Sequence, residues 1–262
     1  MSARIDTTTP SVARMHDYLL GGAEHYRADR EAVARLLALA PSSVAVVRNC
    51  RAFLERAVRV LARDHGVTQY IDFGVGMPAR ENVHQIARRH VPGARVVYVD
   101  IDPMAVAHGR LVLEEDRDTL VVRADITRPE RVFADPGVRR LLAAEPTAAL
   151  FGSVLHCLTD AQAPAELVAD VSARLPPGSF VALSHLVSDD ALVRRRITAL
   201  MAELTGGRWG RVRERADVAG YFAGTRLLDP GLTDVRHWRP DDRLQPPQRT
   251  DEWTGWCGVA AT

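Results

Sequence analysis

From Gly66 onward the hydrophobic period of the sequence shortens, and this change narrows the fold more than any other feature. Val67 to Phe73, Val96 to Val99, Thr119 to Val122, Ala148 to Val154 and Ser179 to Ser184 are short apolar runs rich in β-branched residues. The turn Pro176-Pro177-Gly178 introduces the last of them. Stretches with helical spacing separate these runs, at Met104 to Leu113, Pro136 to Ala144 and Ala163 to Leu175, and Pro78 is placed to begin another. Strand and helix in alternation imply βαβ units, hence an α/β fold with a parallel sheet and helices on both faces. Two further strands are expected at Val235 to Trp238 and Trp253 to Ala260, joined by a Pro-rich loop.

Before Gly66 the spacing is helical throughout. Pro10-Ser11 opens a helix carrying Val12, Met15, Leu19 and Leu20, and Gly21-Gly22 stops it. A second helix is expected from Ala28 to Leu39, ending before Pro41, and a third from Ser43 to Arg63.

Composition removes several classes of function. The 34 basic and 33 acidic side chains nearly cancel, so no basic excess invites a nucleic-acid backbone. No apolar run approaches the ~20 residues of a membrane span, and Met1 to Pro10 is polar. Cys50, Cys157 and Cys257 are odd in number and far apart, which suits neither a disulfide framework nor a metal site. The expectation is a cytoplasmic protein with no metal, no nucleic acid and no membrane among its partners. A homodimer is compatible with it.

The chemistry gathers at strand ends. Asp72-Phe73-Gly74-Val75-Gly76 closes the first strand. Glycines there let the backbone approach a ligand, and an acid on the strand can pair with a ligand ammonium. Because position 79 is Ala, the third glycine of the dinucleotide pattern is missing. Asp100 closes the second strand, where a carboxylate can accept from both ribose hydroxyls of a nucleoside; its other reading is a helix N-cap, a role that better suits Asp102 ahead of Pro103. Asp125 follows the third strand, placed for an adenine amino group with Ile126 beside the ring, or else for a turn. Three acids at the ends of three successive strands favour the ligand reading.

This set resembles the class I SAM-dependent methyltransferases (SAM, S-adenosylmethionine). A narrower resemblance, to the actinobacterial S-adenosyl methyltransferase family formerly called DUF574, is carried by Met15-His16-Asp17-Tyr18-Leu19-Leu20-Gly21-Gly22 and Ala28-Asp29-Arg30-Glu31. Arg51-Ala52-Phe53-Leu54, Gly76-Met77-Pro78, Val97 to Pro103, Val154-Leu155-His156 and Leu183-Ser184-His185 extend it along the chain. The resemblance implies a Rossmann-like sheet of seven strands, the last antiparallel, in a domain at 67–262. A helical cap at 1–66 would close over the ligand. It implies SAM as cofactor, leaving S-adenosylhomocysteine (SAH), and methyl transfer to a small, secondary-metabolite acceptor. Tyr18, Asp72, Gly74, Val75, Gly76, Asp100, Ile101, Asp125, Ile126 and Ser153 are the expected cofactor contacts. His156, with His16 and His185 behind it, is the expected catalytic base.

Where that family has Lys-Asp-Asn, Thr and Asn, this chain has Ala23-Glu24-His25, Ala79 and Cys50. Two alternatives stay open, the first of them motivated by those departures. One is another SAM chemistry, aminocarboxypropyl transfer or ring closure with release of methylthioadenosine; the other is SAM binding without turnover. Arg194-Arg195-Arg196, with Arg208, Arg211, Arg213 and Arg215, reads as a solvated face or as contacts to an anionic acceptor, and the interleaved Glu203 and Glu214 favour the former. Trp209, Trp238, Trp253 and Trp256 are expected in a pocket wall or in the core.

Overall fold

A computed structural model describes residues 5–243, 245–249 and 251–262. Three helices come first, α1 (Val12–Leu20), α2 (Arg27–Leu39) and α3 (Ser43–His65), and Gly21 and Gly66 end α1 and α3 in the left-handed conformation. Strand–helix alternation follows: β1 (Gln69–Phe73), α4 (Val83–Arg88), β2 (Arg95–Asp100), α5 (Pro103–Val112), β3 (Thr119–Arg123), α6 (Pro129–Ala134), α7 (Pro136–Leu141) and β4 (Thr147–Gly152). The chain then continues through α8 (Pro164–Arg174), β5 (Phe180–Val187), α9 (Ala191–Leu204) and α10 (Arg215–Gly220). It closes with β6 (Arg226–Leu227), β7 (Thr233–Asp234) and β8 (Thr254–Ala261).

The strands form one sheet in the order β3-β2-β1-β4-β5-β8-β6, with β7 also on β8. β1 to β5 are parallel, and β8 runs antiparallel to β5, as the fold class requires. The sheet has eight strands among the described residues rather than seven, because β6 and β7 add two-residue pairings to β8. The expected strand at Val235 to Trp238 is instead a turn. Buried Arg56 explains it: Nε donates to Trp238 O at 3.0 Å and a terminal nitrogen to Val235 O, so these carbonyls need no ladder. Pro78 likewise starts no helix. The start moves to Val83, where Asn82 and Gln85 form a reciprocal cap.

Alternation along the strands divides the interior in two. Tyr70, Val96, Tyr98, Ala148 and Leu150 face α1 to α4, in one core with Val33, Leu36 and Phe53. Ile71, Phe73, Val97, Val99, Ala149 and Phe151 face the other layer, with Val168 and Val171 of α8. Among the described residues no single helix is long and apolar enough to cross a membrane. The strand order reverses between β1 and β4, which opens a crevice at the carboxyl ends of the strands.

Candidate functional site

Asp72, on β1, is 4% exposed, and burial pushes its carboxyl up to about 7 against the pull of Arg51 and with the push of Asp100. The chain then turns through Gly74 at φ 75° and Gly76 at φ 65°. A Cβ on Gly74 would lie 2.3 Å from Cγ2 of Val154, so the turn presses on the β4 loop as no other residue could. Asp100 organises this corner: Oδ2 accepts from the Gly76 N–H and Oδ1 from the Asp102 N–H, both at 2.8 Å. Each oxygen keeps a lone pair for a further donor. Asp102 caps α5 through Met104 and Ala105, as its position suggested, and its other oxygen accepts from the Ser11 hydroxyl at 2.7 Å. Asp125 does form a turn, accepting from Thr127 N at 2.9 Å and Oγ1 at 2.7 Å. It also lines the cavity, as does the buried Ile126.

These residues line one cavity of about 570 Å³, an ordinary size for a small-molecule site. Gly74, Val75, Gly76, Ile101, Ser153, His16 and His156 line it too. Ser153 holds φ 58°, an uncommon geometry for a residue with a side chain, at the turn that carries the β4 loop into the cavity. Tyr18 does not line it. Two residues from His16, it projects from another side of α1, 38% exposed, edge-on to His25 at 4.7 Å. His185 is also outside the wall, one layer behind His156.

His156 follows β4 in a short 3₁₀ turn, Leu155–Cys157. Its ring lies 4.9 Å from Trp209 and meets His185 edge-on at 5.5 Å, and its Nδ1 is buried without a partner. Burial first, then the neighbouring His185, His16 and Arg213, hold its pKa well below the usual histidine range. His16 is lowered to about 4 by burial and by Arg51. Arg213 fastens the loop from behind, donating to Leu155 O at 3.3 Å and Leu158 O at 3.0 Å. Cys50 and Cys157 line the cavity, but burial pushes each thiol up to about 12, so neither is a nucleophile at neutral pH.

The S-adenosyl methyltransferase family matches residues 1–262. The chain belongs to that family. It is 32% identical to a candidate methyltransferase from Thermobifida fusca, over 98% of this chain and 96% of that one, with a TM-score of 0.91. A DUF574 family protein from Streptomyces avermitilis is 30% identical, over 99% and 100% of the two chains, with a TM-score of 0.90. The N-methyltransferase NodS from Bradyrhizobium japonicum, in complex with SAH, shares the fold at 12% identity, covering 79% and 85% with a TM-score of 0.51. No curated protein matches the chain.

S-adenosyl methyltransferases are SAM-dependent transferases, and this site suits their cofactor. Asp100 keeps acceptor capacity beside a turn in which Gly76 faces open space, and among the described residues Asp72 is a buried carboxyl without a cation in direct contact. Of the three departures from the family pattern, Cys50 lines the cavity, whereas Ala23 and Ala79 do not. Sequence reasoning missed Arg51 as a site residue, although it stands in the Arg51-Ala52-Phe53-Leu54 motif. It lines the cavity, pairs with Glu55 and donates to the Glu81 carbonyl. Trp209 and Trp253 line the cavity as well, while Trp238 lies in the core and Trp256 lies under Arg215.

Proposed function

We propose that this chain methylates a small organic acceptor of the secondary-metabolite kind, with residues 67–262 holding SAM and the helical segment 1–66 closing over it. The observation that carries this reading is the convergence of Asp72, Asp100, Asp125 and His156 on one cavity. Asp72, with Arg51 opposite, takes the amino-acid zwitterion beside Gly74, Val75 and Gly76. Asp100 takes the ribose hydroxyls. Asp125 and Ile126 take the adenine, Ile101 flanks it and Ser153 stands at the methionine side. When bound, SAM supplies an electrophilic methyl group on a sulfonium.

The residues of the chain do the rest by position. α1 and α3 exclude water on one side, and the β4 loop presents His156 on the other. His156, neutral at physiological pH, takes the proton of the acceptor. His16 faces the same space as a lesser candidate, and His185 serves better as support because its nitrogens are engaged.

Calorimetry with SAH tests the cofactor site. Asp100→Asn should weaken binding by about 1–3 kcal/mol, and unchanged affinity would remove Asp100 from the site. Mass spectrometry of SAM consumption tests the reaction: SAH supports methyl transfer, whereas methylthioadenosine would overturn it in favour of attack at another carbon.

A further inference from the structure

The cavity is chemically two-sided. Its carboxylates, Asp72, Asp100, Asp102 and Asp125, come from β1 and from the ends of β2 and β3. The wall made by α2, α9, β5 and the segment after α9 has none among the described residues. Leu36, Leu186, Met201 and Trp209 line it, all buried in the fold yet facing the cavity.

Among the described residues, one cation stands on this apolar side. Arg208 is exposed and lines the cavity. Its guanidinium donates to carbonyls alone, Nε to Thr205 O at 3.0 Å and a terminal nitrogen to Pro10 O at 3.5 Å. Of the nearby arginines, Arg194 pairs with Glu214, Arg211 and Arg213 with Asp160, and Arg215 with Asp189, while Arg195 and Arg196 lie outside this cavity. Among the described residues Arg208 has no such partner.

The backbone fixes where Arg208 points. Gly206 and Gly207 turn the chain out of α9 with φ of 61° and 78°. Gly210 then lies flat on the histidine loop, where a Cβ would sit 2.0 Å from Leu158 O and 2.7 Å from His156 O. Arg208 and Trp209 are held between these two anchor points, with the Trp209 ring on His156 and its indole N–H buried without a partner.

We propose that the acceptor is an organic acid: a ring-sized apolar body seated between Leu36, Met201, Trp209 and Trp253, with its carboxylate or an equivalent oxyanion on Arg208. The assignment of this lobe to the acceptor rests on the methyltransferase reading above. A guanidinium with free donors binds an oxyanion through charge-assisted hydrogen bonds, and the lack of acidic side chains on this wall leaves nothing to repel it.

Two fluorescent probes of nearly the same shape test the proposal on the full chain saturated with SAH: 1-anilinonaphthalene-8-sulfonate, which is anionic, and N-phenyl-1-naphthylamine, which is neutral. The anionic probe should bind one-to-one and more tightly. Arg208→Gln should weaken it about tenfold while leaving the neutral probe within twofold. Arg195→Gln, on α9 outside this cavity, should change neither. Equal affinity for the two probes, no binding of the anionic one, or its indifference to Arg208→Gln would each overturn the proposal. SAH binding is measured separately by calorimetry. Its loss would sink the cofactor reading, while the probe titrations of the ligand-free chain would still decide the role of Arg208.

Discussion

His185 meets His156 edge-on with ring centroids 5.5 Å apart, and both of its own nitrogens are engaged. Nε2 lies 3.2 Å from a terminal nitrogen of Arg213, and Nδ1 lies 2.8 Å from Leu186 O. A guanidinium only donates, so Nε2 is the acceptor and the proton sits on Nδ1. His185 is therefore locked as a neutral ring, with its pKa lowered to about 3 by burial and by Arg213. On the proposed reading it supports His156 from behind without competing for the proton of the acceptor.

His156→Gln should lower the rate of SAH formation with the acceptor by about 10²–10⁴, with SAH affinity within twofold of wild type. Near-normal turnover would transfer the role of base to His16. Because burial lowers the pKa of His156, the rate at saturating SAM should hold constant from neutral pH down through the ordinary histidine range, around 6.5, before falling. A rate that halves near the ordinary value would show that His156 is solvated during turnover.

Asp72 sets a pH dependence of opposite origin. Its carboxyl titrates at about 7 in the folded chain against 3.8 for the free group. The ammonium of SAH pairs with the ionised form, so binding at pH 6 must release a proton, and affinity should rise about tenfold between pH 6 and pH 8. Calorimetry in buffers of different ionisation enthalpy reads that proton directly, and Asp72→Asn should abolish both the slope and the release. In the ligand-free chain the sign is reversed. The unfolded carboxyl ionises first, so this group costs stability increasingly as pH rises from 3.8 through 7.

Gly74 and Gly76 should respond differently to a methyl group. Both hold positive φ, but a Cβ at Gly74 would lie 2.3 Å from the Val154 side chain, whereas one at Gly76 would meet nothing within 4 Å. Gly76→Ala should cost about 1 kcal/mol of stability, the strain alone, and Gly74→Ala about 2–3 kcal/mol with weaker SAH binding. Val154→Ala in the Gly74→Ala background should recover part of the loss. Equal melting temperatures for the two single variants would show that the clash is relieved elsewhere.

The parts of this site that could be read in the sequence are those that a parallel sheet brings together by rule. Strand ends share one edge, so Asp72, Asp100 and Asp125 converge whatever the rest of the chain does. The same logic located β1 to β5 and β8 from their apolar runs. Val235 to Trp238 failed the rule because two buried apolar residues around Arg236 and His237 say only that the ends of the segment are buried. Arg56, far away in the chain, supplies the hydrogen bonds that a strand would have needed. Arg51 went unread as a cavity residue, and Arg208 was set with its neighbours on a solvated face, for a related reason. Each is one cation among many, and only packing decides that Arg51 lines the cavity near Asp72 while Arg211 meets Asp160. Tyr18 shows the limit from the other side. A family motif can mark a helix as part of a site without saying which of its residues faces inward.

Ser11 stands immediately before α1, and its hydroxyl bond to Asp102 joins the helical wall of the cavity to the turn that positions Asp100. On the proposed reading a ligand held between these walls leaves by parting them, and this hydrogen bond, beside the packing of Tyr26 on Met77, Met104 and Ala105, resists that parting. The residence time of bound cofactor then depends on a serine that touches neither the methyl group nor the acceptor. Slow release of SAH would throttle turnover without altering the chemical step.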